Sequence, residues 1–371
     1  MPGPLRRALT SPALLSQREG ERQGLFASAV PLTAAHWLAV LRPKLTEPLF
    51  DAETVGRLDR LARTLPGECQ GTLEVRLAPG AAPVDLSLRL RTPEHASAMA
   101  ARLPSSSTGS FLSCWSEVGG PFAPVRSIWV EFDLDREEAP SPVVCAKLPA
   151  DADSGWLIGT LLPALQSDPL SDVQRALIVA CLDALPGSAH LLYVFSLRAR
   201  GSNAVRLEIF GMEPSQMPDY LRRVAPGSAS VVAEIAPWFE GVERLHLSID
   251  VAEEVLPRIG IEGSFPRQPK REPRWQELLT RLETRGLCSP AKRDAALAWS
   301  GYDSFWTRPE SWPIAEIGPR GFCIRALSHV KVVCRPDRAP EAKAYLVFGP
   351  LDSSSDTAPA SSAASRSVFS T

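Results

Sequence analysis

The sequence contains no run of 18 apolar residues, so no membrane-spanning helix is expected. It also lacks excess charge of either sign. Lys and Arg number 40 and Asp and Glu 42, a formal net charge of −2. No global basic field therefore points to nucleic acid or a membrane surface as a partner. The seven cysteines, Cys69, Cys114, Cys145, Cys181, Cys288, Cys323 and Cys334, include no C-x-x-C pair. That leaves out zinc and dithiol redox motifs, and a scattered odd set reads as free thiols in a reducing cytoplasm. The five histidines show no H-x-x-x-H spacing. There is no G-x-S-x-G elbow, no P-loop lysine motif, no G-x-G-x-x-G after a strand and no DDxxD. The arginines near the N-terminus are not followed by a continuous apolar stretch, so no secretory signal is expected.

What is present is an ordinary globular composition, 44% hydrophobic and 22% charged over 371 residues, with 35 prolines. Residues 1–50 read as an N-terminal extension with a helical segment and 51–350 as one domain. The Ser/Ala-rich stretch 351–371 reads as a disordered tail. Within the domain, pairs of alternating segments recur around short polar turns. They are Thr72–Leu77 with Val84–Arg91, Arg126–Asp133 with Val143–Lys147, and Leu191–Arg198 with Ala204–Phe210. Glu243–Asp250 with Arg258–Phe265 and Ile324–Val333 with Ala342–Phe348 complete the set. Alternation gives each strand one apolar and one polar face. In the first pair Leu73, Val75, Leu86 and Leu88 oppose Glu74, Arg76, Asp85, Ser87, Arg89 and Arg91.

Helical periodicity fills the gaps at 55–65, 93–103, 155–165, 171–185, 215–224, 229–239, 275–285 and 290–299. Ser171 or Asp172 is a candidate N-cap and Gly286 a candidate C-cap. Gly301–Arg320 reads as an ordered loop. The economical way to bury five apolar hairpin faces and about ten helices is a closed sheet with helices outside. The expected fold class is α+β, a ten-stranded antiparallel β-barrel of five hairpins surrounded by helices, with polar faces lining a lumen. Two separate sheets, each covered by helices on one face, would give the same string of elements.

The order of helices and hairpins resembles the αββα aromatic prenyltransferases, the dimethylallyltryptophan synthase and cyanobactin prenyltransferase type, over about residues 50–350. The stretches LEVRL and VDLSLRLRTP look like the family's first hairpin. The resemblance implies Glu74 as the carboxylate that orients the aromatic acceptor and Arg89 or Arg91 as a diphosphate ligand. Lys343-Ala-Tyr345 looks like the family's K-x-Y strand. Two strands depart from the pattern. RLEIF carries Glu208 and Phe210 where lysine and tyrosine would stand, and PRIGIE carries Gly260 and Glu262 in the same roles. A carboxylate beside a diphosphate in a low-dielectric lumen repels it.

The activity implied is transfer of an allylic prenyl group from a diphosphate donor to an aromatic small molecule or peptide. Arg89, Arg91, Lys147, Arg206, Lys331 and Lys343 would hold the donor, Trp129 and Tyr345 would shield the cation, and Glu74 or Glu131 would take the acceptor proton. Arg89 and Arg91 could equally form cross-strand ion pairs with Glu74 and Asp85. No cofactor is expected, except that Asp133-x-Asp135 could hold Mg²⁺; no metal ligands are assigned. His246 and His329 share the polar face, but no third ligand accompanies them at a metal spacing. The alternative function is a non-prenylating ligand-binding or partner-binding protein on the same barrel. It expects Glu208 and Glu262 to pair with Arg206 and the lysines. A purely structural protein would instead fill its lumen with side chains.

Overall fold

The computed structural model describes residues 32–350 apart from 68, 81–82, 104–105, 136–140, 308–309, 311 and 314–320. The tail 351–371, residues 1–31 and most of the Trp/Pro-rich stretch near 310–320 lie outside the described residues.

The strands are β1 Gln70–Arg76, β2 Asp85–Leu90, β3 Ser127–Phe132, β4 Val143–Lys147, β5 His190–Ser196 and β6 Val205–Phe210. They continue as β7 Arg244–Val251, β8 Val255–Ser264, β9 Gly301–Ser304, β10 Phe322–Arg335 and β11 Arg338–Pro350. From β1 to β8 every strand pairs antiparallel with its successor; β8 pairs β10, β10 pairs β11, and β11 returns to β1. The last pairing, Glu74 opposite Tyr345 and Arg76 opposite Lys343, closes a ten-stranded barrel. Closure removes the exposed strand edges that two open sheets would leave.

The outer face carries the alternating apolar residues. Leu73, Leu86, Leu88, Val205, Leu207, Leu247, Ile249, Ile259 and Ile261 are fully buried against the surrounding helices. Each such side chain contributes about 1.5–3 kcal/mol relative to exposure. Helix 171–185 of the sequence reading is Asp172–Asp183, capped by Ser171, whose hydroxyl accepts from Gln174 N at 3.0 Å. Gly286 takes φ +74° just beyond helix Arg274–Glu283, a left-handed turn that favours glycine. Helix Ala34–Leu41 packs into the same apolar core, and its Trp37 indole donates to Gly67 O at 2.6 Å.

Two elements escaped the sequence reading. Helix Ser107–Trp115 begins in a serine-rich run that resembles a loop, yet Ser106 caps it and Phe111, Leu112 and Trp115 give it a buried face. Gly301–Ser304, read as loop, is strand β9. It pairs with the start of β10, beyond the stretch of β10 that pairs with β8. Arg325 fastens it through Asp303 at 2.8 Å. Among the described residues no helix is long and apolar enough to cross a membrane.

Candidate active site in the barrel lumen

The period-two alternation that sends leucine and valine outward sends the polar residues into one cavity of about 1370 Å³. That volume excludes a lumen plugged by side chains. The sequence-derived candidates all line it: Glu74, Lys343 and Tyr345 on β1 and β11, Arg89 and Arg91 at the end of β2, Trp129 and Glu131 on β3, Lys147 on β4, Arg206 on β6 and Lys331 on β10.

The central cations are held by carboxylates. Lys343 Nζ donates to Glu74 Oε1 at 2.5 Å. Burial alone would raise the Glu74 pKa, but the charge and hydrogen bond of Lys343, with a further bond from Tyr345, hold it well below the usual carboxylate range. Lys331 donates to Glu262 and to Ser248 Oγ, the latter at 3.2 Å. Glu262 is held down to about 2, because the charges of Lys331, His329 and His246 outweigh burial. Arg206 grips Asp250 through two bonds of 2.6 and 3.1 Å, and Arg258 stands 3.6 Å from the same carboxylate. Glu208 pairs with His246 at 2.5 Å rather than with Arg206. The register explains the exchange, since Asp250 lies directly opposite Arg206.

The lysine missing at position 260 has a steric counterpart. A Cβ on Gly260 would meet Lys331 Cε at 2.6 Å and Ser248 Oγ at 3.1 Å. The space is taken by the side chain of Lys331, arriving from the neighbouring strand.

Charge is unevenly distributed along the barrel. Twelve lysines and arginines and eight carboxylates line the cavity among the described residues. Arg89 lies at the end of β2 and Arg91 just beyond it, Lys147 ends β4 opposite Ser127, and Arg126 donates its backbone N–H to Lys147 O at 2.9 Å. Arg244, at the start of β7, belongs to the same end of the barrel. The lining carboxylates occupy the middle layers or the opposite end, with Asp85 at the start of β2 and Asp133 just after β3. One mouth is therefore basic. Beside it stand Trp129, with the Arg89 guanidinium 5.7 Å from its ring centroid, and Tyr193, opposite Lys147.

Arg200 was missed because the R-G-S-N segment reads as a turn. Its guanidinium reaches back into the acidic end, binding Glu131 and holding Asp133 by bonds of 2.7 and 2.6 Å. Glu131 is thus tied, and Asp133 does not stand free beside the exposed Asp135 as a ready Mg²⁺ pair. Only the side chain's length and the unpaired acids across the turn could have signalled this.

Asp85 has the opposite electrostatics to Glu74. Burial and the charge of Glu74 push it up to about 8, although Arg76 lies 3.4 Å away. A carboxyl raised on folding supports the fold fully below its unfolded pKa of about 3.9 and loses that contribution as pH rises through the folded value. Asp85→Asn is therefore expected to gain stability over the parent progressively from pH 4 to about 8. Urea unfolding across that range checks it; a constant difference would show that Asp85 is ionised in the folded barrel.

No protein-family model and no curated protein matches the sequence. Solved structures do. 5-Dimethylallyltryptophan synthase from Streptomyces coelicolor, in complex with DMASPP and Trp, is 14% identical over 90% of this chain and 99% of that one, TM-score 0.49. 6-Dimethylallyltryptophan synthase from Micromonospora olivasterospora is 14% identical over 84% and 95%, TM-score 0.46. AnaPT from Neosartorya fischeri is 8% identical over 85% and 91%, TM-score 0.48. The chain itself is a closed ten-stranded antiparallel barrel with helices outside.

Proposed function

We propose that the barrel is a divergent prenyltransferase, taking an allylic diphosphate at its basic mouth and passing the prenyl group to an aromatic small molecule or peptide. The observation that carries this reading is the concentration of Arg89, Arg91, Arg126 and Lys147 at one end of β2–β4, beside Trp129 and Tyr193. The four cations offset the charge gained by diphosphate as the allylic C–O bond breaks and its electron pair leaves with oxygen. The aromatic faces attract the allyl cation. The acceptor ring then supplies the electrons of the new bond and gives up a proton. Glu74 lies four residues along β1 from Gln70, the partner of Arg89, or roughly 13 Å deeper. An acceptor ring fits between, with an N–H or O–H turned to Glu74.

A second reading, a binding protein without prenyl transfer, is favoured by the pairing of Lys343, Lys331 and Arg206 with Glu74, Glu262 and Asp250. The two separate in one experiment. Dimethylallyl, geranyl and farnesyl diphosphates are titrated in a thermal-shift assay with and without Mg²⁺, and product formation is followed with tryptophan and tyrosine as acceptors. Saturable stabilisation, worth about 2.7 kcal/mol at a hundredfold excess over Kd, is expected, and Arg89→Ala with Lys147→Ala should abolish it. No shift with any donor at millimolar concentration overturns diphosphate binding. A shift without product for any acceptor favours the second reading.

A further inference from the structure

Glu208 on β6, His246 on β7 and Glu262 on β8 place one ligand atom each within 4.8 Å of one another. The register brings this about. His246 lies directly opposite Glu262, and Glu208, opposite Ser248, is its diagonal neighbour on the other side. A fourth donor stands next to them on β10: His329 Nε2 is 3.3 Å from Glu262 Oε2. All four side chains line the cavity. The motif has no sequence spacing because its members come from four strands.

We propose that Glu208, His246, Glu262 and His329 form a binding site for a divalent transition-metal ion, open to the lumen. At a tetrahedral ion with bonds of about 2.1 Å, neighbouring ligand atoms sit roughly 3.4 Å apart. The 3.3 Å contact of His329 with Glu262 matches that spacing, Glu208, His246 and Glu262 place their donors within 4.8 Å of one another, and the 2.5 Å contact between His246 Nδ1 and Glu208 Oε1 has to open by about 1 Å as the ion takes the place of the shared proton. Two imidazoles with two carboxylates select a borderline ion such as Zn²⁺, Fe²⁺ or Co²⁺ over Mg²⁺, which takes oxygen alone.

The surroundings orient the donors. His246 is stacked on Tyr193 at 6.5 Å and edged by Phe210 at 5.2 Å, while His329 stacks on Tyr345 at 3.9 Å. Lys331 and Ser248 fix the other oxygen of Glu262. Such outer partners hold ligand rings and carboxylates in place. A metal here also neutralises the two carboxylates that occupy the departing positions of β6 and β8. The site is independent of the prenyl-transfer reading, since its donors and its test involve no diphosphate.

The test uses the full chain stripped with chelator and dialysed. Equilibrium dialysis against Zn²⁺ at pH 7.5 is expected to give one tight equivalent, weakened at pH 5.5 by proton competition. Glu208→Gln and His246→Gln should each weaken it about tenfold or more, while Cys145→Ala, in the same lumen, leaves it unchanged. Circular dichroism reports whether each variant is folded. Should a variant unfold, Co²⁺ added to the unmodified protein decides, by visible bands of a nitrogen–oxygen site without thiolate charge transfer. Absence of a stoichiometric equivalent, equal binding by the folded variants, or a thiolate spectrum would overturn the proposal.

Discussion

Replacing Asp250 by alanine is expected to destabilise the barrel by about 3–5 kcal/mol, the cost of leaving a buried charge uncompensated. Asp250 serves two guanidinium groups. Arg206 holds it by two bonds of 2.6 and 3.1 Å, and Arg258 lies at 3.6 Å. Arg206 and Asp250 expose only 6% and 4% of their side chains, so water cannot replace the lost partner. Arg258 is already under strain of charge: burial and the neighbouring Arg206 lower its pKa to about 10. Removing the carboxylate leaves both cations facing each other in a low-dielectric layer. Against a total stability of about 5–15 kcal/mol, that is a large share. The converse change is milder, because in Arg206→Met the carboxylate still has Arg258. Urea unfolding at pH 7 should rank Asp250→Ala well below Arg206→Met; equal losses would show that Arg258 does not share the anion.

The same triad contributes to acid sensitivity. The Asp250 pKa is lowered on folding, since Arg206 and Arg258 outweigh burial. Its stabilisation is full above the unfolded value near 3.9 and disappears as pH falls through the lower folded one. Glu262 follows the same rule, with its loss extending down to about pH 2.

The hairpins and their lumen faces were legible because strand alternation is a local signal, readable within eight residues. Leu73 and Glu74 sit on opposite faces whatever the rest of the chain does. The partner of each charge was not legible. Glu74 meets Lys343 only because β11 closes on β1, 269 residues away in sequence. Glu208 takes His246, and Arg206 takes Asp250, because of a register that the sequence does not print. The basic mouth was partly visible: Arg89 and Arg91 stood out by alternation and Lys147 through the family resemblance, while Arg126 adds itself only once β3 and β4 are paired. The four-donor cluster was invisible for the same reason. Histidines separated by more than 80 residues reveal nothing about shared ligands until their strands are placed side by side.

Under the proposed function, Glu74→Gln is expected to lower prenyl transfer by about 100- to 10,000-fold, the usual contribution of a positioned general base, without loss of donor binding. The amide is isosteric and can still accept a hydrogen bond from Lys343, so the barrel wall keeps its shape. It cannot take a proton, nor hold an acceptor N–H by a charge-assisted bond. The donor, meanwhile, meets Arg89, Arg91, Arg126 and Lys147 at the basic mouth, whereas the cation hydrogen-bonded to Glu74 is Lys343. Neutralising Glu74 also removes one negative charge from the cavity, which favours an anionic donor. The expected signature is a fall in kcat with the diphosphate-induced thermal shift retained or enlarged. Because Lys343 and Tyr345 hold the Glu74 carboxyl ionised well below neutrality, the parent protein should show no loss of this base between pH 5 and 8. Unchanged turnover in Glu74→Gln would move the base elsewhere in the lumen, and loss of the donor shift would mean that Glu74 organises the diphosphate site through Lys343 instead.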